Sequence, residues 1–146
     1  MSNFDSIAEC DAILAHATAL FGGRTYEDAI APTLNADGSF APYLVIQFGT
    51  PVPKATGRGL GTEKVQPHIL PVLMMVVAHD SSTARRGAGS VLNRFLDFAP
   101  NGGGNAGGLT GGKGQSFPIK NAAGAVIRVE RVVLFECVLN LAPASQ

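Results

Sequence analysis

The residues best equipped for chemistry in this 146-residue chain are three histidines, two cysteines and a scatter of carboxylates. Their spacing argues against a catalytic centre. His16, His68 and His79 form no HExxH pair and have no cysteine pair beside them, so a zinc site would have to be assembled wholly by the fold. His79-Asp80-Ser81 holds the residue types of a nucleophilic triad, yet adjacent residues cannot present their side chains to one another in the required relay. Asp80 and Ser81 read better as helix caps. Asp11, Glu27, Asp28 and Asp97 show no spacing that would pair two carboxylates for acid–base work. Gly107-Gly108-Leu109-Thr110-Gly111-Gly112-Lys113 matches the first seven positions of a phosphate loop, but Gly114 stands where Ser or Thr should bind magnesium. Gly57-Arg58-Gly59-Leu60-Gly61 is likewise an incomplete dinucleotide fingerprint. No catalytic, metal or cofactor-binding residue is therefore assigned.

The elements that must position these residues follow from hydrophobic periodicity. From Asp5 to Phe21, Ile7, Cys10, Ile13, Leu14, Ala17, Leu20 and Phe21 recur at helical spacing, and Gly22-Gly23 stops the helix. His16 falls on its polar side. Tyr43–Phe48 reads as a first strand, and Leu70–Ala78, apolar on both faces, as a central one. A second helix is expected from Ser82 to Phe98, capped by the Asp80–Thr83 run and ended by Pro100. The glycine-rich segment 101–114 reads as a flexible flap, Ser116–Lys120 as an edge strand broken by Pro118, and Asn121–Gly124 as a hairpin. The last strand alternates from Ala125 to Leu139, roughly 50 Å if fully extended, so a projection or a bulge near Arg131 is expected. The expectation is one α+β domain: a single four-stranded, mostly antiparallel sheet packed by two helices, in the order α-β-β-α-β-β, with long loops.

Composition describes the surface of that domain. Eleven basic residues balance eleven acidic ones, and only 15% of the chain is charged against 46% hydrophobic. Zero net charge removes the footprint of a nucleic-acid or polybasic membrane binder. The acidic start of the chain resembles no export signal, and the apolar run 69–78 is too short to span a bilayer, so a soluble protein is expected. Two cysteines at opposite ends make no CxxC pair and no disulfide framework, consistent with a reducing, cytoplasmic birthplace. The loops at 22–42, 49–68 and 99–115 hold roughly two-fifths of the residues, more than a compact domain usually leaves unstructured. Sparse charge, long loops and an overlong last strand together predict a surface completed by other subunits. Arg85 and Arg86 sit in the first helical turn, where the dipole disfavours cations, and this placement suggests an external acidic partner.

Pro42-Tyr43-Leu44-Val45-Ile46-Gln47-Phe48-Gly49 leads into a basic Pro/Gly loop, and Leu73-Met74-Met75-Val76-Val77-Ala78 leads into Ser82-Thr83-Ala84-Arg85-Arg86. This pattern, over residues 40–100, together with the element order of the whole chain, resembles the tail terminator proteins of long-tailed bacteriophages. The flap at 101–114 is longer than that family leads one to expect. The resemblance implies a non-enzymatic virion protein, assembled in the host cytoplasm, that forms a hexameric ring on the head-proximal end of the tail tube. Its implied partners are copies of itself, the tail tube protein and the head–tail connector, with genome DNA passing through the lumen; no membrane or cofactor is implied. The last strand and the 49–68 loop are then the expected inter-subunit elements, by strand pairing and loop insertion. Lys54, Arg58, Lys64, Arg85, Arg86 and Arg131 are the candidate subunit or tube contacts. A head–tail joining or neck ring protein is the nearest alternative, and a small ligand-binding enzyme domain using the flap as a lid is a third.

Overall fold

The computed structural model describes residues 7–28, 34–53, 66–100 and 107–141. Helix α1 runs over Ile7–Ala17 and a 3-10 turn over Phe21–Gly23. Strands β1 (Thr25–Glu27), β2 (Tyr43–Phe48), β3 (Val52–Pro53) and β4 (Gln66–Ala78) follow, then helix α2 (Ser81–Phe95), and strands β5 (Thr110–Lys120) and β6 (Val126–Leu141). The strands form one six-stranded sheet in the order β1-β2-β4-β6-β5, with β3 continuing beside β4. β1 is parallel to β2, and every other pairing is antiparallel.

This corrects the expected four-stranded, mostly antiparallel sheet and its α-β-β-α-β-β order: the sheet is mixed and has two more strands. Both extra strands lie in segments expected to be loops. β1 is three residues and β3 only two, too short to display an alternation, and each is held by pairing with a longer neighbour rather than by its own pattern. The glycine segment is also partly strand, since Thr110–Gly114 belong to β5; residues 101–106 lie outside the described residues.

The long last strand is real, but it does not bulge at Arg131. β4 matches it in length, and the two pair without a break from Gln66↔Leu141 to Ala78↔Val129. The register shifts fall instead in the β5–β6 ladder, between Gly111 and Lys113, where β5 has the extra residue, and between Ile119 and Lys120, where β6 has it at Ile127. Gly112 supplies the extra residue of the first, at φ +87°, a conformation that glycine adopts without steric cost.

Both helices cover one face of the sheet. Leu44 and Ile46 of β2, Leu70, Val72, Met74 and Val76 of β4, and Val133, Phe135, Cys137 and Leu139 of β6 alternate onto that face. They pack against Ile13 and Ala17 of α1 and Ala88, Val91 and Phe95 of α2. α1 stops four residues short of its apolar pattern because the Thr18 hydroxyl and amide both bond to the Ala15 carbonyl, diverting the chain into a tighter turn. At α2 the Asp80 carboxylate accepts the Thr83 amide at 2.7 Å, the expected N-cap. The helix ends at Phe95, before Pro100, because Asp97 adopts φ +65° and the chain turns to exchange hydrogen bonds with Leu109.

Candidate functional site

The face of the sheet away from the helices is the part of the molecule left unfinished. On β4 and β6 it carries the half-buried Leu73, Met75, Val132 and Val138, with Leu134 49% exposed among them. Phe117 of β5, directly opposite Glu130 in the ladder, is 43% exposed, and Val52 of β3 is 50% exposed. One end of this face is covered: Phe40, Tyr43, Val45 and Val77 form a small second core with Tyr26 and Met75. The Asn35–Gly38 turn precedes this cover and is closed by Asn35–Ser39 and Asn35–Gly38 backbone bonds. A solvated sheet face normally alternates to polar residues, so the row of apolar side chains there makes this face the candidate contact surface.

Beside the covered end lies a cavity of about 500 Å³. Leu34, Phe40, Val126 and Ile127 form its apolar wall, and Asp37, His79 and Arg128 supply its polar groups. Asp37 is held below the usual carboxylate range, first by the Ser39 hydroxyl at 2.6 Å and then by the Ser39 amide at 3.0 Å, so it stays ionised. Asp80 is also held low, by the Thr83 amide and hydroxyl, and lies 3.6 Å from His79 Nδ1. Asp37 is thus committed to its turn and Asp80 to its cap, although His79 and Asp80 do approach one another, which the sequence does not lead one to expect of adjacent residues. Arg128 is committed too, donating to Glu130 at 3.1 Å. The cavity offers shape and charge for binding. Among the described residues no three His, Cys, Asp or Glu side chains gather as metal ligands, and no helix is long and apolar enough to cross a membrane.

Of the residues singled out in the sequence, Lys54, Arg58 and Lys64 lie outside the described residues, as does Gly57–Gly61. Arg85 and Arg86 are exposed, but because α2 begins at Ser81 they fall in its second turn and not in the first as expected. Arg131 lies on the helix-bearing face, donates from Nη1 to Ser116 Oγ at 2.8 Å, and has a buried Nε without a hydrogen-bond partner among the described residues. His68 is buried in β4. His16, read as a surface residue, instead joins the two helices: its Nε2 bonds the Arg94 carbonyl at 3.0 Å and Arg94 Nε donates to the His16 carbonyl at 3.1 Å. Its ring stacks on Phe98 at 3.8 Å. The sequence signal for the bare face was present in the apolar residues on both sides of the last strand; Phe117 gave none.

The sequence matches no protein-family model and no curated protein. Its fold does match solved structures. One is a chain in a structure described as the virion of a native gene transfer agent particle: the alignment covers 92% of this chain and 99% of that one, with a TM-score of 0.58 and 16% identity. A second solved chain aligns over 95% of this chain and 94% of its own, with a TM-score of 0.48 and 12% identity.

Proposed function

We infer that this chain is a structural subunit of a phage-like virion and that its place is the tail-terminator ring. The fold match to a chain of the gene transfer agent virion, which spans nearly the full length of both chains, supports the virion-subunit part of this reading; the terminator place rests on the sequence resemblance over residues 40–100. The bare apolar sheet face adds physical support, because side chains such as Leu134 and Phe117 gain burial once neighbouring subunits cover them. In this role the subunits form a ring, expected to be a hexamer, on the head-proximal end of the tail tube. The surface facing the tube is complementary to the last tube layer; the opposite surface docks the connector and templates no further tube subunits. The work is binding rather than catalysis. Arg85, Arg86 and Arg131 are the described basic residues proposed for subunit or tube contacts, with Lys54, Arg58 and Lys64 as further candidates.

The test is arrest of growth. Tail tubes are supplied with excess tube subunit, with and without the purified protein, and their lengths measured by electron microscopy. Arrest from one end, with density added there, is the expected result. Tubes that lengthen equally in both samples would contradict the terminator role, and decoration of filled heads alone would point to a neck component.

A further inference from the structure

The geometry points to a specific head-to-tail contact between copies of this chain: the β1 edge of one subunit adds antiparallel to the β5 edge of the next, with Glu27 meeting Arg131. This rests on the ring reading and names the contact that would build the ring.

The two edges fit in direction. Among the described residues β5 pairs only with β6 and β1 only with β2, so each leaves one row of backbone groups without a described sheet neighbour. β1 runs with β2, against β4, and β5 runs with β4. A second copy placed beside the first in the same orientation therefore brings its β1 antiparallel to β5, and keeps both helix layers on one side.

They also fit in length. On β5 the regular ladder extends only from Lys113 to Ile119, between the two register shifts, and Pro118 has no amide to donate. Such an edge refuses a long strand and accepts a short one. β1 has three residues.

Charge selects the pairing. Glu27 and Asp28 at the β1 edge, and Lys113 and Lys120 on β5, are all exposed, and none is in an ion pair among the described residues. One end of the sheet is thus acidic and the other basic. By its register with Ile46, Glu27 lies on the helix-bearing face. On that same face, at the other end of the sheet, the Arg131 guanidinium lies across β5: it bonds Ser116, and a side chain at Gly114 would come within 3.7 Å of its Nε. That buried Nε has no acceptor among the described residues. A carboxylate arriving over Gly114 from the neighbouring β1 would come beside this guanidinium and pair with its charge.

The experiment is a charge exchange in the full chain, scored as the protein concentration at half-assembly, in solution and on tail-tube ends. Glu27→Arg and Arg131→Glu should each raise it about tenfold or more. The double variant, or an equimolar mixture of the two single variants, should return it to within about threefold of the wild type. Circular dichroism melts check folding. Should Arg131→Glu not fold, Ser116→Glu, on the same face of β5 and beside the guanidinium, takes its place against Glu27→Arg, with the same weakening alone and restoration on mixing. Rings that form equally well in every variant, or a double variant as impaired as the singles, overturn this edge pairing and leave the ring reading standing. A wild type that assembles neither alone nor on tubes removes both.

Discussion

His16 sits between α1 and α2, stacked on Phe98 and edge-on to Phe95, and burial holds its pKa below the ordinary value of 6.5, against the opposing pull of its bond to Arg94. The folded state therefore disfavours the proton. Stability is full above pH 6.5 and is lost as pH falls from there through the lowered folded value. Melting curves from pH 7.5 to 5 should show this loss in the wild type and a flatter profile in His16→Gln, which is less stable at pH 7.5. Cys137 offers a chemical check: burial pushes its thiol up to about 11, with Glu9 and Cys10 adding to the shift. Its Sγ donates to the Gly107 carbonyl at 3.3 Å. At pH 7.5 Cys137 should resist alkylation in the native protein and react readily in denaturant, read by mass spectrometry. The sequence allowed the Asp80 cap to be identified because capping depends on neighbours within one turn. The role of His16 was hidden because Arg94 and Phe98 come close only through the packing of the helices.

Elements were legible in proportion to their length. β4 and β6 carry enough residues for two apolar faces and an alternation to be read directly, whereas β1 and β3 exist through their partners. α2 depends on a close approach that is a feature of the pair rather than of either segment. A Cβ at Gly87 would lie 2.7 Å from Val76 Cγ1, so the helix rests against β4 at a residue with no side chain. Gly87→Val should cost about 1–3 kcal/mol through overpacking, measured by urea denaturation. Gly89 has open space around its would-be side chain. Gly89→Ala should gain about 0.5–1 kcal/mol from helix propensity, which separates packing from propensity within one helix.

At the scale of the molecule, low charge and abundant apolar residues pointed to a surface meant for partners, and we propose one sheet face and two sheet edges as that surface. Which strands lay at those edges was beyond the sequence, since edge position is decided by long-range pairing. Leu134→Asp and Phe117→Asp act on side chains that are already wet in the monomer. Each should change monomer stability by only about 0.5 kcal/mol while weakening ring formation and tube capping. Equal capping by wild type and variants would mean that the bare face is not the contact.

The central claim is that this subunit is completed by copies of itself and by the end of a tail tube. Electron microscopy of the purified protein mixed with tail tubes, with light scattering on the protein alone, tests it most directly. Closed rings seated at one tube end are the expected result. A monodisperse monomer at all concentrations, leaving both tube ends bare, would contradict it.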